Sequence, residues 1–233
     1  MARIEDHRLI TGKGKFTANI RPTGALVVKF LRSPISCGVI LSIDTSKAKL
    51  LPGVVNIFTA QDMAADGVTH MLDTAKPVRD DGGTVINPRR PILNSSDIRH
   101  LGEPIAIIIA QTSEQANNAL EAIFVDYSDS DSALLSGENT DSPLVWPEAQ
   151  DNYASYHYVG DATKVQEAEA NTAHLITVPI HISRITAVAM EPRISLCDID
   201  PEGKLIFTTS TQNPFALRAE IMKTFSLETT NIQ

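Results

Sequence analysis

The segment Ser210-Thr211-Gln212-Asn213-Pro214 lies where an apolar strand pattern gives way to a helical one. A helix N-terminus carries unpaired N–H groups and a positive dipole, which suit oxyanions. A plain cap explains the same residues, with Asn213 accepting first-turn N–H groups and Pro214 at the first helical position. Upstream, Met190-Glu191-Pro192-Arg193 sets an acid and a base around a proline just before a strand. A Glu191–Arg193 ion pair and the edge of a site are both open there, the ion pair being the commoner arrangement.

Other chemistry-bearing types lack the spacing they need. Gly12-Lys13-Gly14-Lys15 has the residues that cradle phosphate, but neither the gap and Ser or Thr of a Walker loop nor the third glycine and following helix of a dinucleotide loop. It reads as a glycine turn. His7, His70, His100, His157, His174 and His181 include no pair at i, i+4 and no acidic partner in a recognised pattern. Cys37 and Cys197 have no second Cys or His at zinc spacing, so two buried thiols and no metal site are expected. No Gly-x-Ser-x-Gly elbow is present, and hydrolase chemistry has no visible carrier.

The elements that must position these residues fall into two units. In the first, Ala25–Leu31, Val39–Ile43 and Val54–Phe58 read as strands, with a short helix over Ser46 to Leu51 capped by Asp44 or Thr45. Ile105–Ala110 is apolar at every residue, as a strand covered on both faces must be. Thr112 and Gln115 form a capping box for a helix to about Ala122, and Phe124–Tyr127 returns to strand. Met63 to Asn94 has little hydrophobic period and reads as a long loop, of the kind that carries function or an interaction surface. The acidic, Ser-rich stretch from Asp126 to about Asp151 reads as a solvated linker. Beyond it, Leu175–Ile182 reads as strand, Ile194–Ile199 and Lys204–Thr209 as a hairpin, and Asn213-Pro214 as the start of a helix bearing Leu217, Ile221, Met222 and Phe225 on one side. The class is α+β, with units at 1–130 and 156–233 joined by a linker at 131–155. A lone hairpin and helix bury too little to stand alone, so the second unit reads as unfinished.

With 233 residues, 42% hydrophobic and 21% charged, the chain has the composition of a globular protein, not of a fibre or a disordered tail. A formal charge of -8 leaves no electrostatic hold on nucleic acid phosphates. No apolar run approaches the roughly 18 residues of a spanning helix, and Met1 to Arg8 has no apolar core behind its charges, so the chain reads as cytoplasmic with no membrane span.

A series of short motifs then follows in order along nearly the whole chain: Arg3, Glu5-Asp6, Thr11-Gly12-Lys13-Gly14-Lys15-Phe16, Leu31-Arg32-Ser33-Pro34, Ile43-Asp44, Leu51-Pro52-Gly53-Val54, Arg99, Gly102-Glu103-Pro104, Val125-Asp126-Tyr127, Gly160-Asp161, Met190-Glu191-Pro192-Arg193 and Thr211-Gln212-Asn213. Together they resemble the amino-terminal part of the molybdopterin-binding large subunit of the xanthine dehydrogenase, aldehyde oxidase and carbon monoxide dehydrogenase family. The resemblance implies an α/β hammerhead domain followed by the incomplete start of a mixed α/β molybdenum-cofactor-binding domain. It implies that Gln212 lies beside the molybdenum, its neutral amide placed to hydrogen-bond a metal oxo ligand, and that Glu191 and Arg193 lie on the active-site side. No catalytic residue and no metal ligand is expected in this chain, because the family's Gly-Gly-Phe-Gly segment and its catalytic glutamate follow the Gln motif.

The implied reaction is oxidative hydroxylation of an aldehyde, an N-heterocycle or a similar small molecule, with water as the oxygen source. A molybdenum pyranopterin would be the cofactor, and the electrons would leave through iron-sulfur clusters and FAD on partner subunits or domains. The sequence departs from the family at Cys37-Gly38-Val39, where a His-Ala-Arg run is usual, and at Ala18-Asn19, where an acidic pair is usual. The expectation is a portion of a larger subunit, inactive alone. A stand-alone hammerhead-type module that docks on molybdenum enzyme subunits is the alternative.

Overall fold

A computed structural model describes residues 3–71, 76–133, 141–183, 185–189, 191–228 and 231–233. In chain order the elements are α1 (Asp6–Ile10), β1 (Val27–Arg32), β2 (Gly38–Asp44), α2 (Ser46–Lys49), β3 (Val54–Thr59), α3 (Ala60–Ala65), β4 (Asp97–Ile98), β5 (Pro104–Ala110), α4 (Ser113–Ala122), β6 (Phe124–Asp129), α5 (Ala162–Asn171), β7 (Ser195–Ile199), β8 (Leu205–Thr209) and α6 (Pro214–Phe225). A single 3-10 turn covers Thr17–Asn19.

Two three-stranded sheets make the first unit, ordered β1-β5-β3 and β4-β2-β6. β5 runs antiparallel to both of its neighbours, with Ile107 opposite Phe30 on one side and Phe58 on the other. Its unbroken apolar run has a direct cause. Ala106, Ile108 and Ala110 face one core together with Ala48, Ile57 and the α4 residues Ala116 and Ala119, whereas Ile105 faces a second core with Ile40 and Ile98. A strand that serves two cores has no polar face to alternate. After α4, β6 joins the other sheet and pairs antiparallel with β2, so the strand, helix, strand pattern bridges two sheets. β2 begins at Gly38 with φ +151, where a Cβ would run into the Ser128 carbonyl of β6. Only glycine lets the strands close there.

Several expectations need correction. Only half of the box at α4 forms: Thr112 Oγ1 accepts the Gln115 N–H at 3.2 Å, while Gln115 Oε1 is buried without a partner. α3 begins before the expected loop at Met63 and takes in its first three residues, and its capping box is Thr59 with Asp62, whose Oδ2 accepts both the Thr59 N–H and hydroxyl at 2.7 Å. β6 extends through Asp129, into the stretch expected to be linker. α5 was not anticipated at all. Its cap is Asp161, accepting the Lys164 N–H at 3.0 Å. The segment expected as a strand at Leu175–Ile182 has no ladder partner among the described residues, and its apolar side chains stand in the open, Ile180 at 79% and Ile182 at 83% exposure. An extended apolar run becomes a strand only when another edge satisfies its backbone. Neither cysteine is buried: Cys37 is half-buried and Cys197 exposed.

The long loop and the linker are not independent solvated stretches. Arg79, whose side chain is 5% exposed, grips Asp81 through Nε and Nη2 at 2.8 Å, and Asp151 through Nη1 at 3.0 Å and Nη2 at 2.9 Å. Two bidentate forks from one guanidinium are the strongest ion-pair geometry that side chains make. The backbone continues the contact: Asp80 N–H donates to the Tyr156 carbonyl at 2.9 Å, and Tyr156 N–H to Val78 at 2.7 Å. Asp80 Oδ2 also takes the Tyr158 N–H at 3.1 Å and lies 2.7 Å from His157 Nδ1. Residues 134–140 of the linker, and Met190, are outside the described residues.

The Arg79 guanidinium pulls the Asp81 carboxyl from its ordinary 3.8 down to about 2, and it lowers Asp151 as well. A carboxyl whose folded value is depressed stabilises the fold above its unfolded value, and that contribution is lost as the pH falls through the folded value. The clasp therefore opens between about pH 4 and pH 2. Amide exchange of residues 76–83 and 151–158, corrected for intrinsic rates, is expected to accelerate in that window while β5 stays protected; equal acceleration of both would refute it.

Candidate functional site

The second unit presents a two-stranded hairpin and the helix that follows it. β7 and β8 pair with Ser195 opposite Thr209 and Ile199 opposite Leu205. The turn between them is tied by Asp200 Oδ1, which accepts the Glu202 N–H at 3.0 Å and the Lys204 N–H at 2.7 Å, and Gly203 takes φ +83. The outer edge of β8 is held from the far side, since the Phe207 N–H donates to the Gln233 carbonyl and the Gln233 N–H to Leu205, both at 2.9 Å. Such anchoring fixes where β8 delivers the chain to α6.

At that corner the expected cap forms. Asn213 Oδ1 accepts the Ala216 N–H at 3.1 Å, the Asn213 N–H donates to Thr211 Oγ1 at 3.2 Å, and Pro214 occupies the first helical turn. The cap employs Asn213 and Thr211, and leaves Gln212 between them with an exposed side chain that makes no hydrogen bond among the described residues. A fixed backbone with an uncommitted neutral amide is an arrangement suited to donating to a ligand that carries negative oxygen.

A cleft of about 490 Å³ lies beside this corner, walled by Glu191, Arg193, Ser195, Phe207, Ser210 and Thr211 among others. The structure thus brings Glu191 and Arg193 onto one cleft with Ser210 and Thr211, whereas Gln212 is not part of its wall. No ion pair joins Glu191 to Arg193 among the described residues, so the expected salt bridge is replaced by two separate side chains, Glu191 half-buried and Arg193 exposed.

Glu191 also forms part of a second cleft, of about 390 Å³, with Glu5, Arg8, Lys15, Phe16 and Ser210. This contribution from the amino-terminal arm was not foreseen. The local signal was the short α1 stopped by Gly12 at φ +71, with the Lys13 N–H returned to the Arg8 carbonyl at 2.7 Å, which folds the glycine turn back beside α1. No group of three or more His, Cys, Asp or Glu able to hold a metal ion occurs among the described residues. Partial desolvation pushes the Cys197 thiol above its ordinary value, away from thiolate character. No helix among the described residues is long and apolar enough to cross a membrane.

Residues 11–131 match the family model described as aldehyde oxidase and xanthine dehydrogenase, a/b hammerhead domain, and residues 145–233 match that of the molybdopterin cofactor-binding domain. The nicotine 6-hydroxylase large subunit of Paenarthrobacter nicotinovorans is 30% identical, over 91% of this chain and 25% of its own. The nicotinate dehydrogenase large molybdopterin subunit of Eubacterium barkeri is 26% identical, over 99% of this chain and 51% of its own. The chain therefore spans between a quarter and about half of the length of these relatives. Among solved structures, quinoline 2-oxidoreductase from Pseudomonas putida 86 superposes with a TM-score of 0.86 at 24% identity, covering 100% of this chain and 29% of that one, a likeness of fold.

Proposed function

Because the chain belongs to the aldehyde oxidase and xanthine dehydrogenase family, whose members are molybdenum oxidoreductases, we propose that it is the amino-terminal portion of a molybdenum hydroxylase large subunit. The observation that carries this reading is the succession of hammerhead and molybdopterin-binding matches over 11–131 and 145–233. The complete subunit would hydroxylate an electron-poor carbon with oxygen from water. Nicotine and nicotinate, in the names of two of the similar large subunits, are N-heteroaromatics, and that is the substrate class to test first.

The residues at the β8–α6 corner fit a pyranopterin cofactor. Ser210, Thr211, Gln212 and Asn213 are all neutral, so the segment itself sets no charge against an anionic ligand. Gln212 would donate its amide N–H to the cofactor, while the Asn213 cap fixes the backbone that carries it. Ser210, on the wall of both clefts, joins the amino-terminal arm to this corner. Glu191 and Arg193 would form the edge of the site. When bound, the cofactor accepts the two electrons that the substrate gives up. Iron-sulfur and FAD subunits or domains would take those electrons onward, and the assembly would work in the cytoplasm.

The test is the complete subunit with its partners, assayed for molybdenum by mass spectrometry and for dye-linked oxidation of nicotinate or quinoline in water enriched in heavy oxygen. Retained molybdenum with heavy oxygen in the product is the expected result. A preparation that retains molybdenum but puts no water oxygen into any product would overturn the proposal.

A further inference from the structure

A third cleft, of about 330 Å³, lies in the first unit, away from the β8–α6 corner, where α3 and the long loop meet the linker. Its charged wall is cationic: Arg89 and Arg99 line it beside neutral Thr69, Asn94 and Ser96, and no Asp or Glu does, in a chain of formal charge -8. Met63, Val68 and Leu93 supply an apolar wall. Trp146, delivered by the linker, completes the cleft, with its ring centroid 3.8 Å from the Arg99 guanidinium carbon.

Arg99 is committed on one side only. Its Nη1 donates to the Asp97 carbonyl at 2.9 Å and its Nη2 to Asp97 Oδ2 at 3.1 Å. Its Nε is buried with no hydrogen-bond partner, and a buried unpaired donor on a charged group is a state proteins rarely leave unrelieved. Arg89 is exposed and makes no ion pair among the described residues, so the cleft holds a second, free cation. The backbone that carries these groups is firmly set: the Met71 N–H donates to the Arg90 carbonyl at 2.9 Å, and buried Asn94 bridges Ser96 N–H at 2.9 Å and the Asp97 carbonyl at 2.6 Å.

We infer that this cleft binds a small organic carboxylate, its oxyanion between Arg89 and Arg99 and its apolar body against Met63, Val68, Leu93 and the Trp146 ring. Arginine forks match carboxylate geometry, and the mixed wall selects an anion with an apolar body over a fully hydrated one. The site is independent of the molybdenum chemistry proposed above.

The binding is read on the complete subunit as the difference in fluorescence between the Trp146 protein and its Trp146→Phe variant, so that the signal reports on this cleft. Cyclohexanecarboxylate, which absorbs no near-ultraviolet light, is the probe, with cyclohexanecarboxamide as its neutral counterpart and inorganic phosphate as the hydrated anion. A saturable change in Trp146 emission is expected with the carboxylate, half complete on the order of 1 mM, and with neither of the others at that concentration. Arg89→Gln is exposed and leaves the fold alone, and it should weaken binding about tenfold or more, while Arg89→Lys keeps the charge and falls between. No saturable response, an equal response to phosphate or to the amide, or a response that Arg89→Gln leaves intact would each overturn the inference.

Discussion

Replacing Ile108 with Ala lowers the denaturant midpoint of the first unit without changing the slope of its unfolding transition, at a loss of about 2–5 kcal/mol. Ile108 is 0% exposed at the centre of the middle strand, opposite Lys29 in β1 and Ile57 in β3. The same core contains Ala116 and Ala119 of α4, each 0% exposed. Those small residues let the helix backbone sit close to the sheet, and a rigid strand-helix contact refills only part of the space an alanine would open. A domain of this size has about 5–15 kcal/mol of stability in all, so the change removes a large share of it. Ile107, half-buried and one residue away, serves as the control, and Ile107→Ala should be milder. If Ile108→Ala shifts stability by less than about 1 kcal/mol, the range of exposed-site changes, the two-sided core at β5 is wrong.

What the sequence revealed and what it hid follow from how local each determinant is. β5, α4 and the β7–β8 hairpin with its Asn213-Pro214 cap were legible because apolar runs, cap residues and turn residues act within a few positions of each other. The Thr59–Asp62 box that starts α3 was equally local and was passed over, because the surrounding stretch has no apolar period. The Arg79 clasp could not be read: its partner Asp151 stands 72 positions away, and acidic Ser-rich sequence looks solvated until a guanidinium reaches it. Leu175–Ile182 shows the opposite limit, strand-forming residues with no edge to pair with among the described residues. At the site, the cap was visible, but the convergence of Glu191, Ser210 and the amino-terminal arm depends on tertiary packing across most of the chain.

Gln212→Ala in the complete subunit is expected to lower kcat about 10–100-fold, the effect typical of losing a residue that orients a metal's ligands, with KM for the substrate changed far less. The reason lies in what Gln212 does not do for the fold. Its exposed side chain has no hydrogen bond among the described residues, and the cap that sets the corner belongs to Asn213 and Thr211. Truncating it should leave stability within about 0.5 kcal/mol. Gln212→Glu sharpens the distinction, because the two possible roles respond to it with opposite signs. An added negative charge next to the N-terminus of α6 interacts favourably with the helix dipole, so the fold should hold or gain about 0.3–1 kcal/mol. At neutral pH the same carboxylate has no N–H to donate and repels an anionic ligand, so turnover should fall at least as far as in Gln212→Ala. Gln212→Asn keeps the amide but shortens the reach, and should recover part of the lost kcat. Melting temperature and kcat per molybdenum, measured on all three variants, separate the cases. Loss of stability in parallel with activity would mean that Gln212 merely supports the corner, and unaltered turnover in Gln212→Ala would remove it from the site.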